Sequence, residues 1–313
     1  MNAKEDTPAA EGKGKAVGRC KWWRRLLGRC IIYYIAAMIS LVSVALMFFA
    51  EPLCLTVEEV PVGLRCWAPE CAEARVVMLA DLHAAQHDGP RLERIVQCTA
   101  EQKPEAVVLL GDYFSALKPG KAMKPEQVAA YLAPLAQLCP VYYVCGNHDM
   151  GKNGSRLRKA FKEKGFINLE NAERVHTFAN GQKLMLRGVT HSAEPAKAGG
   201  DLSKHYQARR FAAAKLPADM PLLAVAHNPY YFLHAPIWAD LAVGGHTHGG
   251  QVCMPGGRPL TMHAPWSPQA ARAGMKRGDS GNYVYISRGL GLSRLPIRFC
   301  CPPEITVLEL KAQ

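Results

Sequence analysis

Short apolar runs, each ending in a polar cluster, constrain this chain more than any other feature. Runs rich in Val, Leu and Ile occupy 75–80, 106–110, 141–145, 183–189, 221–226 and 241–244. Runs this short and this continuously apolar read as strands buried on both faces. Between them, 90–102, 125–138, 155–165 and 205–216 carry apolar residues at helical spacing. Pro125 stands near the start of its stretch, where a helix tolerates the missing N–H. Segments 283–287 and 304–310 read as further strands. A βαβ order followed by more strands predicts a layered α/β sandwich.

The polar clusters sit at the carboxyl ends of these runs. The first ends in ADLH (Asp81, His83), the second in LLGDY (Asp112) and the third in CGNHD (Asn147, His148, Asp149). Later runs end in AHNP (His227) and GGHTHGG (His246, His248). In open α/β sheets ligands bind beyond the carboxyl ends of strands. Asp-x-His, Gly-Asp and Ala-His-Asn-Pro are weak signals alone; GNHD and a glycine-framed GHTH are more specific, and all five in this order are not a chance pattern. Carboxylates and imidazoles without thiolates suit Mn, Fe or Zn. Asp81 and His83 are two apart, so on a strand they point the same way and can grip one ion. Gly244, Gly245, Gly249 and Gly250 allow the turns and close backbone approach of a second such grip.

A second feature is the uncharged stretch IIYYIAAMISLVSVALMFFA at 31–50. Twenty helical residues at ~1.5 Å each span ~30 Å, the hydrocarbon thickness of a bilayer. KWWRRLLGR precedes it, and Glu51, Glu58 and Glu59 follow. The positive-inside rule then expects a basic cytoplasmic tail (1–30), a transmembrane anchor (31–50), a linker (51–73) and an extracytoplasmic catalytic domain (74–313), in the inner or cytoplasmic membrane. Arg24-Arg25 also fits a twin-arginine signal, with a poor surrounding consensus. A cleaved signal peptide is the rival reading, but no A-x-A site follows.

The net charge is +12, and residues 1–30 hold eight basic against three acidic side chains, so five of those charges lie in the tail. A basic domain favours nucleic acid, anionic lipid or a phosphorylated substrate. No nucleic-acid-binding motif is visible, which leaves the last two. Hydrophobic content of 49% against 20% charged excludes a disordered chain. The 11 cysteines include no CxxC pair, which excludes a zinc ribbon. Cys66 and Cys71 flank a short loop and are able to pair in an oxidising compartment.

The ordered set DLH, GDY, GNHD, AHN and GGHTHGGQ resembles the calcineurin-like metallophosphoesterase superfamily over about residues 74–311. The anchor followed by EPLCL, and the tail ISRGLGLSRLPIRFCCPPEITVLEL, are similar to its membrane-anchored bacterial phosphodiesterase branch, which includes UDP-2,3-diacylglucosamine pyrophosphatase-type enzymes of lipid A synthesis. The resemblance implies a four-layer αββα sandwich and two divalent ions, Mn²⁺ first, with Fe or Zn as alternatives. It implies that Asp81, His83, Asp112 and His248 hold one ion. Asp112 bridges to the second, held also by Asn147, His227 and His246. His148 is the implied catalytic residue, oriented by Asp149. The chain departs from the family at Thr190-His191, where Asp-Asp is common, and at Tyr230, where an acidic residue is common. Both lie on the substrate rim.

His191 and Arg288 are the candidate substrate contacts, with His87 a further one; Arg294 and Arg298 share the late loop with Arg288. For these arginines a phosphate grip and a structural role both stand. Trp266 is set to stack on a base or face lipid, or to pack in the core. The expected function is hydrolysis of a phosphodiester or pyrophosphate bond, with a lipid-linked substrate such as UDP-2,3-diacylglucosamine in view. The alternatives are a phosphomonoester or phosphoprotein phosphatase, a nuclease, and a metal-stabilised membrane scaffold without catalysis.

Overall fold

In the computed structural model, residues 14–115, 121–190, 215–234, 238–260, 271–279 and 281–313 are described, 14–21 by backbone only. His191, His205, His263 and Trp266, and most of the expected helix 205–216, lie outside them. The chain divides into Met1–Leu46 and Met47–Gln313.

The first unit is one helix, α1 (Gly14–Ala45). Its turns continue beyond Ala45 as a wider helix, Leu46–Ala50. The apolar stretch Trp22–Leu53 is long and apolar enough to cross a membrane, and none of it is buried. Large side chains such as Ile32, Tyr33 and Ile39 are exposed all round.

The second unit is built from two six-stranded sheets. The first contains β1 (Thr56–Leu64), β2 (Ala74–Leu79), β3 (Ala106–Leu109), β4 (Val141–Tyr143), β5 (Ile167–Asn168) and β14 (Glu304–Ala312), in the order β1-β14-β2-β3-β4-β5. The second contains β6 (Glu173–Thr177), β7 (Lys183–Val189), β8 (Leu222–Ala226), β9 (Leu241–Gly244), β12 (Gly274–Arg277) and β13 (Tyr283–Ile286), in the order β12-β13-β9-β8-β7-β6, while β10 (Cys253–Met254) and β11 (Arg258–Pro259) pair as a separate two-stranded ribbon. Each has a parallel centre, β2 to β5 in one and β7, β8, β9, β13 in the other.

Alternation along the strands assigns the faces. Val76 and Met78 of β2 join Val108, Leu186, Val225 and Val243 in a core between the sheets. Val77 and Leu79 point the other way, against α2 (Gly89–Glu101), α3 (Pro125–Leu132) and α5 (Gly151–Glu163). On the far face of the second sheet, Ala224, Ala242, Val284 and Ile286 pack under α6 (Tyr230–His234). The layers are therefore α, β, β, α, as the family resemblance implied. Burying each such Val, Leu or Ile contributes roughly 1.5–3 kcal/mol. The expected helix 125–138 is divided into α3 and α4 (Leu135–Leu138). Pro134 lies between them, and it has no N–H to continue the ladder.

The expected linker 51–73 is more than a connector. β1 lies inside it and pairs in parallel with β14 from Thr56↔Glu304 to Leu64↔Ala312. Glu51 takes the backbone N–H of Cys301, and Thr56 donates its own to Pro303. The partner strand is over two hundred residues away, so no local pattern announced it. Cys66 and Cys71 are free thiols; they bond to the carbonyls of Ala218 and Asn180.

Candidate metal centre

Seven candidate ligands converge beyond the carboxyl ends of β2, β3, β4, β8 and β9. Asp81 and His83 are not on a strand. β2 stops at Leu79, and the two residues adopt left-handed backbone, φ 53° and 42°. Asp112 (55°), His246 (68°) and His248 (52°) do the same. Non-glycine residues avoid this region, at a cost of about 1–3 kcal/mol each. Five of the seven candidate ligands thus sit on strained turns, which aim side chains that regular strands cannot aim.

Two triads of ligand atoms result. Asp81, His83 and His248 form one, and Asp112, His227 and His246 the other; within each, the atoms lie within 4.8 Å of one another. Asn147 extends the second, its Oδ1 3.1 Å from His227 Nε2. Asp112 Oδ2 stands between the groups, 3.2 Å from His227 Nε2 and 3.6 Å from His83 Nε2. All of these except Asn147 and His246 are buried.

The hydrogen-bond chemistry fits cations. His83 Nδ1 lies 2.9 Å from the Phe114 carbonyl, and His227 Nδ1 lies 2.9 Å from that of Leu110. A carbonyl accepts only, so both rings carry a proton on Nδ1 and, in the neutral form a metal ion binds, turn an Nε2 lone pair inward. His83 Nε2 then meets His248 Nε2 at 3.0 Å, and His227 Nε2 meets His246 Nδ1 at 3.0 Å. With the Asp112 and Asn147 oxygens added, the centre is a convergence of lone pairs, which a pair of divalent ions would resolve.

Without ions, the charges strain against one another. Burial, with the Asp112 charge adding to it, pushes the Asp81 carboxyl up to about 7. Burial pulls the His83 imidazole down to about 4. His227 resists the same burial because Asp112 and Asp81 face it, and it rises to about 9. Burial works to raise Asp112 too, but His227, His83 and His148 hold it well below the usual carboxylate range.

His148 stands apart. It is exposed, its ring lies edge-on to His83 with centroids 5.2 Å apart, and its Nε2 is 3.9 Å from Asp112 Oδ2. It borders the centre on the open side. Asp149 does not orient that ring. Its buried carboxylate accepts the backbone N–H groups of Asp112, Tyr113 and Gly146 at 2.7–2.8 Å, and no described bond joins it to the His148 imidazole. The His148 backbone N–H is held instead by Asp112 Oδ1 at 2.9 Å. Burial and the Asp112 charge push Asp149 up to about 7.

Arg288 is engaged away from the ligands, with Nε 2.8 Å from Glu304 and Nη2 3.1 Å from Glu58. Arg294 is exposed. Arg298 is fully buried, and its guanidinium donates to the carbonyls of Arg288, Gly289, Gly291 and Cys301. It is a structural brace. The loop it braces lies behind the first triad: Leu290 and Gly291 donate to the Ala80 and Asp81 carbonyls. A Cβ on Gly289 would come 2.8 Å from the Asp81 carboxylate, and one on Gly245 2.5 Å from it. A Cβ on Gly146 would overlap Asp112 Oδ1. Sequence reading named Gly245 for such close approach but missed Gly146 and Gly289; the G-L-G spacing in RGLGLS was the available signal for Gly289. His87 is exposed; His176 is core, bonded to the Tyr142 hydroxyl at 3.1 Å.

Comparison with known proteins agrees with this geometry. The sequence model of the calcineurin-like phosphoesterase family matches residues 74–250. Phosphodiesterase YaeI of Escherichia coli is 31% identical over 246 residues, covering 76% of this chain and 83% of that protein. The Bacillus subtilis metallophosphoesterase YkuE is 27% identical over 245 residues, covering 76% and 79%. A Bos taurus transmembrane protein with metallophosphoesterase domain is 27% identical over 319 residues, covering 96% and 66%. With two ligand triads of the right chemistry and a family match across more than half its length, this chain belongs to the calcineurin-like phosphoesterase family and is a metal-dependent phosphoester hydrolase.

Proposed function

We propose that this enzyme is a membrane-anchored phosphodiesterase or pyrophosphatase that works through Asp81, His83, Asp112, Asn147, His227, His246 and His248 as metal ligands and His148 as the catalytic residue. The observation that carries the reading is the Asp112 carboxylate, set between two ligand triads with the His148 ring beside it. Bound there, a pair of divalent cations (Mn²⁺ first, Fe or Zn as alternatives) would supply Lewis acidity and lower the pKa of water toward neutrality. The rest is the work of the chain. Asp112 joins the two halves of the centre. The Phe114 and Leu110 carbonyls fix the tautomers of His83 and His227. His148, on the open side, meets the phosphate and gives a proton to the departing oxygen. No side chain is needed as a covalent nucleophile.

The substrate reading follows the apolar segment. Residues 31–50 anchor the chain, the basic tail 1–30 stays on the cytoplasmic side, and the domain faces outward. An anchored site works on what the bilayer brings to it, so the substrate is a lipid-linked phosphoester. A UDP-linked acyl sugar is made in the cytoplasm; an outward-facing domain favours an exported phosphodiester instead. His191 belongs to the proposed substrate rim. Arg288 is withdrawn from it, because its guanidinium is already paired.

The test is hydrolysis of an aryl phosphodiester and an aryl phosphomonoester by the Mn²⁺-loaded full chain. Diester turnover should exceed monoester turnover. His148→Ala should keep both ions and lose roughly 10²–10⁴ in kcat, and Asp112→Asn should lose ions and turnover together. Wild-type rates in either variant would overturn the assignment, and preferred monoester turnover would make it a phosphatase. A reporter fused after Gln313 in intact cells decides which side the domain faces.

A further inference from the structure

Two buried thiols lie directly under the turn that carries His248. Cys253 and Cys301 are 1% and 2% exposed. Cys253 Sγ donates to the Gly249 carbonyl at 3.2 Å. Cys301 Sγ lies 3.2 Å from the His248 carbonyl and 3.7 Å from that of Gly249. The two side chains also lie close enough to interact with each other. Both sulfurs therefore share one carbonyl, from segments 48 residues apart. The segments are held in register by the Val252↔Phe299 bridge and by Cys253 N–H to Phe299 at 2.8 Å.

A buried thiol is normally inert, but these two have an approach. Both line a cavity of about 380 Å³ together with Glu58, Arg272, Tyr285 and Arg288. Cys300, exposed, borders the same space. A hydroperoxide is small enough to enter it.

We propose that Cys253 and Cys301 are an oxidisable dithiol that closes to a disulfide beneath the His248 turn and so weakens the metal centre. The oxidant is hydrogen peroxide. One thiol sulfur attacks the O–O bond, becomes a sulfenic acid and releases water. The second sulfur then attacks the first, forms the S–S bond and releases another water. Two thiols and one hydrogen peroxide give one disulfide and two waters, a two-electron oxidation.

The consequence follows from the donors that are lost. In the reduced protein the S–H groups satisfy the His248 and Gly249 carbonyls. A disulfide has no S–H, so the Gly249 carbonyl loses its thiol partners and the His248 carbonyl loses one, keeping the Gln251 N–H at 3.0 Å, in a turn where His248 and Gln251 already have φ of 52° and 60°. Removing the groups that orient a ligand typically weakens metal binding 10–100-fold. This functional half rests on His248 being a ligand; the dithiol itself does not.

The experiment uses the reduced full chain, exposed to stoichiometric hydrogen peroxide, alkylated in denaturant and peptide-mapped. The expected product is a linked Cys253–Cys301 peptide pair, two hydrogens lighter and reversed by a thiol reductant. Oxidised protein should bind Mn²⁺ roughly tenfold more weakly. Cys300→Ala should still form the link; Cys253→Ala and Cys301→Ala should abolish both the link and the peroxide sensitivity. If those variants do not fold, the wild-type map decides alone. Two thiols that stay alkylatable, or a link through Cys300, would overturn the proposal. A link that leaves Mn²⁺ affinity unchanged would overturn its functional half. A link in a protein that binds no Mn²⁺ in either state would leave the dithiol standing and sink the metal assignment instead.

Discussion

The Asp149 carboxylate takes the backbone N–H of Asp112 at 2.7 Å. It thereby locks the turn that presents Asp112, the proposed shared ligand, and it holds Tyr113 and Gly146 in the same grip. One buried acid sets the geometry of two strand ends. Asp149→Asn replaces one acceptor oxygen with a donor facing N–H groups. The expected cost is about 2–4 kcal/mol of stability, since buried donors are left unsatisfied. Thermal unfolding and metal stoichiometry check it: Tm should fall, and fewer than two ions should remain bound. A variant with unchanged Tm and two ions would remove Asp149 from this role.

Gly289→Ala separates the two ligand groups. Its Cβ would press on Asp81 from 2.8 Å, at a residue whose own φ of 67° disfavours a side chain. The first triad should weaken while the second keeps its ion. Titration with Mn²⁺ should therefore show one site of near wild-type affinity and one weakened at least roughly tenfold. Equal loss at both sites would point to general unfolding.

Arg298→Lys tests the brace. A lysine offers three donors from one point, whereas the guanidinium fork spans four carbonyls. The substitution should cost about 1–3 kcal/mol, read as a lower denaturation midpoint. Wild-type stability in the lysine variant would show that the fork geometry does not matter.

Metal affinity should rise with pH between about 7 and 9. The ions bind neutral imidazole, and His227 in the free site keeps its proton up to about 9. Below about 7 Asp81 must also give up a proton, so the dependence steepens. The ion-free protein should behave in the opposite sense. A histidine raised above its ordinary value stabilises the fold fully below about 6.5, and that contribution is lost as pH climbs through about 9. Competition titrations and melts at pH 6.5, 7.5 and 8.5 test both; a flat metal affinity across this range contradicts the assigned protonation.

The sequence by itself determined the types of the proposed ligands and their order along the chain. It also determined that they follow buried strands, because strand burial is written in runs of Val, Leu and Ile and the clusters sit at their ends. Only the tertiary structure decided how the ligands meet. His83 and His248 face each other across 165 residues of chain, and Asp81 and His83 aim their side chains from left-handed turns, not from a strand. It also revealed β1 within the expected linker, Asp149 as the lock of the Asp112 turn and Arg298 as a buried brace. These rest on backbone torsions and on pairings between remote segments. Local periodicity carries neither, since both are fixed only when distant parts of the chain pack together.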